Sequence, residues 1–145
     1  MYFLEKEKVM GVVITIDGDK KPFVPPFLKV EDHRLMGEIV WDPSRIDLWS
    51  NVEHIGDIKT ILEKVKEKPL ANVNLLDFLI AHQELIPKEW EKFSLFFLGT
   101  TYFTPYGDVH VRCLRKTAFW AYESLWYRNL WHTYYRVVLI GPGKG

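Results

Sequence analysis

The sequence is poor in cysteine, in clustered glycine and in net charge, and each shortage removes a class of chemistry. Cys113 is the one cysteine among 145 residues. It leaves no intramolecular disulfide and no multi-cysteine zinc or iron–sulfur site, and it fits a reducing, cytoplasmic setting. The glycines at 11, 18, 37, 56, 99 and 107 stand singly, so there is neither a phosphate-cradling loop nor a dinucleotide fingerprint. Nineteen basic residues balance nineteen acidic ones, which gives no overall field to gather polyanions or an anionic membrane face. The apolar runs stay well below the roughly 20 residues that cross a bilayer as a helix. Glu5, Lys6, Glu7 and Lys8, followed by a short apolar stretch, do not make an export signal. No membrane partner is expected.

Aromatic residues are abundant: six Trp, seven Tyr and nine Phe make up 15% of the chain. Rings at this density fill a core or form a binding surface. The length suits one domain over 1–145.

Residues 9–16 are rich in β-branched side chains and stop at Asp17-Gly18-Asp19, the pattern of a strand and its turn. Position 21 is Lys, so the triplet does not continue as a calcium loop. Pro22, Pro25 and Pro26 keep residues 22–27 extended. Residues 36–41 form a second expected strand, ended by Asp42-Pro43, with Ser44 and Asp47 starting a helical turn. Residues 1–56 therefore read as a β-rich N-terminal part. Ile58, Ile61, Leu62 and Val65 then carry the stripe of an amphipathic helix capped by Asp57 and stopped by Pro69. A second helix is expected from Asn74 as N-cap, with Asp77 three residues on, to about Gln83. Pro87 opens a short helical turn holding Trp90, which completes a helical part over 57–92. Residues 94–103, 109–116, 119–127 and 134–140 read as four strands with short links, an antiparallel meander over 93–140. The expected fold class is α+β: two central helices, a C-terminal antiparallel sheet of about four strands, and the β-rich N-terminal part.

The stretches LLDFLIAHQELIPKEWEKF (75–93), FFLGTTYF (96–103), Gly107 and VHVRCL (109–114) carry a resemblance. They resemble a group of uncharacterised small bacterial proteins that share ELIP-x-x-W, then FF-x-GT-x-Y, a Gly-containing turn and alternating Trp and Tyr. The matching positions are Glu84, Leu85, Ile86, Pro87, Trp90, Phe96, Phe97, Gly99, Thr100, Tyr102, Trp120, Tyr122, Trp126 and Trp131. Leu98 stands where the group often has Trp, and Ser124 interrupts the aromatic row. The match covers roughly half of the chain, residues 74–139; it supports the expected C-terminal sheet and implies no activity or cofactor.

Candidate chemistry is sparse. His33, His54, His82, His110 and His132 make no i, i+4 pair, so no metal site is expected. Cys113 alternates with Val109 and Val111, which predicts inert packing on an apolar strand face despite nearby His110. The opposite face carries His110, Arg112, Leu114 and Lys116. The leading expectation is a non-enzymatic module that binds a protein or peptide through an aromatic-rich sheet. Its candidate contacts are Trp120, Tyr122, Trp126 and, just beyond the strand, Trp131. A second reading is single-stranded nucleic-acid binding, with Arg112 and Lys116 meeting phosphates beside stackable rings. A third is a small hydrolase with Glu123 as a buried general acid and Asp108 as second carboxylate. None of the three requires a cofactor.

Overall fold

The computed structural model describes residues 13–51, 53 and 56–141. β1 (Thr15–Asp17) pairs antiparallel with β3 (Glu38–Val40) in a small two-stranded sheet. The large sheet has seven strands and curls into a half-barrel. Its members are β2 (Lys29–His33), β4 (Ile46–Trp49), β5 (Ser94–Phe96), β6 (Thr100–Phe103), β7 (Val109–Lys116), β8 (Trp120–Trp126) and β9 (Tyr135–Ile140). They run in the order β2-β6-β7-β5-β9-β4, and β8 lies on the other edge of β7.

This architecture corrects the expected α+β class with a four-stranded antiparallel meander. The sheet dominates and draws β2 and β4 from the first third of the chain. β9 does not follow β8 in space; it crosses over to run parallel with β5, Ser94 opposite Tyr135 and Phe96 opposite Val137. The cause lies in residues 127–134. There the backbone docks on the start of the first helix, Ile58 N donating to Asn129 O and Trp131 N to Gly56 O, and carries the chain under the sheet.

The expected strand over 94–103 is also broken. Seven positions separate Leu95 from Tyr102, whereas four separate their partners Leu114 and His110. The excess is taken up at Phe97, Leu98 and Gly99, where Gly99 N donates to Ala71 O and Gly99 O accepts from Arg34 N. A Cβ on Gly99 would stand 2.8 Å from the Ala71 carbonyl oxygen, so two backbones meet where only glycine fits. The break forks the sheet: β5 joins β9 while β6 joins β2.

α1 (Ile58–Val65) follows its predicted stripe. Asp57 accepts from Thr60 N at 2.9 Å, and Ile58, Ile61 and Val65 are fully buried, each worth roughly 1.5–3 kcal/mol. α2 (Val73–Ala81) is capped by Asn72, which accepts from Asn74 N at 3.0 Å, two residues before the expected cap. Asn74 lies in the first turn and donates to the Asp17 and Lys20 carbonyls instead. The Pro87 turn forms as a 3-10 helix, Lys88–Lys92, with Trp90 buried. The expected strand over 9–16 falls mostly outside the described residues.

The two helices cover opposite faces of the sheet. α1 packs with Phe96, Val111, Cys113 and Val137; α2 packs with Leu95, Phe97, Leu114 and Val138. Central strands are thus apolar on both sides, which is why the C-terminal strands show little polar alternation.

Candidate functional site

The β7–β8 register sets the candidate residues side by side: His110 opposite Trp126, Arg112 opposite Ser124, Leu114 opposite Tyr122, Lys116 opposite Trp120. Side chains alternate across strands, so these eight share one face. α2 lies over part of that face. Trp120 is buried, Tyr122 is half-buried, and Trp126, beyond the helix, is 45% exposed. Trp131 is buried on the opposite side, its ring 5.1 Å from those of Phe96 and Tyr135. The aromatic row is therefore divided: its members are shared among two cores and one exposed tip.

Arg112 is the largest fully buried side chain. Its Nη2 donates to Asp77 Oδ1 at 2.8 Å and its Nη1 to Oδ2 at 3.1 Å, a bidentate pair reaching from β7 to α2. The guanidinium lies over the Tyr122 ring at 4.0 Å and the Phe23 ring at 5.1 Å. Burial opposes its charge, and the Asp77 carboxylate more than offsets this, so its pKa stands above the ordinary arginine value. Tyr102 donates to Phe23 O at 2.9 Å, and burial pushes its phenol up. Arg112 is thus committed to the fold and closed to phosphates, and Lys116 is engaged by Glu91 at 3.0 Å.

The carboxyl pair of the hydrolase reading is not assembled. Glu123 is 43% exposed and bound to Arg115 at 3.0 Å. It lies opposite Cys113, five residues along β7 from Asp108 and so on the order of 16 Å away. Cys113 is buried, and burial first, with the Glu123 charge second, pushes its thiol up to about 12; it stays a thiol. Among the described residues no group of three His, Cys, Asp or Glu is placed to hold a metal ion.

What the face offers instead is a groove beside an open strand edge. The groove, about 600 Å³, lies between α2, the turn after β1 and β8, with Phe78, Ile80 and Ala81 on one wall and Phe23 and Tyr122 on the other. Asp77 lines it already neutralised by Arg112, and Lys20 and Lys21 stand at its rim. Among the described residues β8 pairs with β7 alone. Tyr127 N donates to Val109 O, so odd-numbered peptide groups of β8 face β7 and even-numbered ones face outward. Gln83 occupies one outward position as a neighbouring peptide would: its Oε1 accepts from Trp120 N at 3.2 Å and its Nε2 donates to Trp120 O at 3.1 Å. At the other end Trp126 O accepts from Asn129 N. Between them Tyr122 and Ser124 present N–H and C=O groups with no backbone partner among the described residues.

A second polar cluster lies at the start of α2. Thr100 Oγ1 accepts from Val73 N at 3.1 Å and lies 2.8 Å from His33 Nδ1, tying β2, β6 and the start of α2 together. Burial lowers the His33 pKa, against the Lys20 carbonyl, Asp32 and Asp19, and burial likewise lowers that of His110 against Asp108. The unfolded chain binds these protons more readily than the folded one. Stability is therefore full above pH 6.5, the ordinary histidine value, and falls as pH drops through it toward the lower folded values. Urea midpoints at about pH 7.5 and 5.5 should show that fall, and His33→Gln should flatten it.

No helix among the described residues is long and apolar enough to cross a membrane. No family model, no curated protein and no solved structure matches the chain, so the site is defined by its own geometry.

Proposed function

We propose that the protein is a non-enzymatic peptide-binding module that adds an extended segment of its partner to the outer edge of β8. Tyr122 carries the reading, because its backbone belongs to the open edge and its ring to the groove wall. An added strand would satisfy the outward groups of Tyr122 and Ser124 and lay alternate side chains into the groove. Its apolar walls suit Leu-, Val- or Phe-sized residues, and Lys20 and Lys21 favour an acidic neighbour. Gln83 would limit the added strand at Trp120. The partner is thus a protein or peptide, met in the cytoplasm where the lone Cys113 stays reduced.

Selection of displayed random peptides followed by calorimetry tests this. Ser124→Pro removes one outward N–H at an edge where proline is tolerated, and Ala81→Trp fills the groove from an exposed position. Each should weaken a selected apolar peptide by about tenfold or more with little change in melting temperature. Selected peptides that bind both variants like the wild type would remove the edge and groove from the function.

A further inference from the structure

Resting on the peptide-edge reading, we propose that Gln83 decides which segments the edge of β8 accepts: it admits a short stretch of an unfolded tail and turns away the edge strands of folded sheets. The edge is blocked at both ends and open between. At one end the Gln83 carboxamide holds both the N–H and the C=O of Trp120. At the other, Asn129 N donates to Trp126 O. What remains outward is the N–H and C=O of Tyr122, the N–H and C=O of Ser124 and the N–H of Trp126, none with a backbone partner among the described residues. Residues 122–126 thus offer a window five residues long, about 17 Å at the usual rise per residue.

Gln83 is fixed in that place by the chain around it. α2 ends at Ala81, and the next turn is a 3-10 helix over Gln83–Leu85 that Ile86 N closes onto Gln83 O at 3.1 Å. Ile86 is buried, so the turn cannot swing out without uncovering it. The Gln83 Nε2 also donates to Ile80 O at 3.3 Å, which ties the side chain back to α2. A carboxamide both donates and accepts, as a peptide group does. Gln83 therefore stands where the next residue of an added strand would pair, and stops it there.

The sheet also shows what a fully protected edge looks like. β2, at another edge, carries Lys29, Glu31 and Asp32 and a register shift between Val30 and Asp32, charges and a bulge that keep other sheets off. The window of β8 has no lysine, no proline and an unbroken register; its one charge, Glu123, belongs to the opposite face and is bound to Arg115 at 3.0 Å. Protection is thus confined to the two ends. A strand inside a folded sheet continues straight past such a window and brings its neighbours with it, so it meets Gln83 and the turn at Asn129. An unfolded tail bends away once the window is filled. The groove beside Tyr122 then takes the side chains that alternate toward it.

Calorimetry with capped peptides cut from a display-selected sequence tests the inference. With the wild type, affinity should rise until five extended residues fill the window, and residues added beyond either end should change it by less than about twofold. Gln83→Ala should bind the five-residue peptide like the wild type, which shows that the variant is folded. It should also gain about tenfold from two further residues at one end only, as the Trp120 N–H and C=O find partners. The Trp120 amide of that variant should exchange rapidly alone and slowly in the longer complex. The same five residues should bind when placed in the flexible tail of a carrier protein, and not when placed in the edge strand of its sheet. A wild type that gains about tenfold from longer peptides, a Gln83→Ala variant that gains nothing from them, or a folded edge strand that binds as tightly as the tail overturns the inference. Ser124→Pro separates it from the reading beneath. Loss of five-residue binding in that variant keeps the edge in place whatever Gln83 does, and unchanged binding removes both.

Discussion

Replacing Asp77 with Ala is expected to lower the unfolding free energy by about 3 kcal/mol. The expectation follows from asymmetry: Arg112 has no exposure, so removal of the carboxylate leaves a charged guanidinium in the core with two rings and no counter-charge. Asp77 itself is 35% exposed, and water entering its place holds the loss to the lower end of the range for broken buried pairs. Replacing both partners, Arg112→Met with Asp77→Leu, should recover most of the stability, because neither charge then needs solvation. Urea unfolding of the single and double variants separates the terms. A loss below about 1 kcal/mol for Asp77→Ala would mean that Arg112 is solvated, and would return it to the list of groups able to meet phosphates.

A second large effect divides the aromatic row. Trp120→Ala should cost roughly 3–5 kcal/mol, since its buried ring belongs to the α2 core and its backbone is held by Gln83. For a chain of this size that lowers the melting temperature by roughly 10 °C or more. Trp126→Ala, on the same face of the same strand, should stay within about 1 kcal/mol, because that ring is already partly in water. Equal effects would show that the two rings share one environment.

The contrast shows what was legible in the sequence. Local signals were read well: the stripe Ile58, Ile61, Leu62, Val65 with its Asp57 cap became α1, and β7 runs over the expected residues 109–116. Cys113 is buried as its alternation with Val109 and Val111 implied. Long-range choices were not legible. β2 reads Lys-Val-Glu-Asp-His, a polar string whose strand state comes from backbone bonds to β6 rather than from any apolar alternation. The crossover of β9 depends on Trp131 and Tyr135 finding Phe96 under α1, which no neighbouring residue announces.

The site followed the same rule. Arg112 lies on the polar-looking face of β7, and its burial depends on Asp77, 35 residues earlier, and on Phe23, supplied by the proline-rich connector. Gln83 reads as a helix end and turns out to occupy the edge of β8 through Trp120, 37 residues away. The β7–β8 register sets basic beside aromatic residues on one face; which of them remain free is decided by α2, through tertiary contacts that a strand pattern does not encode.

Amide hydrogen exchange, read residue by residue along β8, tests the peptide-binding edge most directly. In the free protein the Tyr122 and Ser124 amides should exchange rapidly, while those of Ala121, Glu123 and Leu125, bonded to β7, exchange slowly. A bound selected peptide should slow Tyr122 and Ser124 by about tenfold or more and leave the odd-numbered amides as they were. Binding that leaves the Tyr122 and Ser124 amides open to solvent would contradict the account.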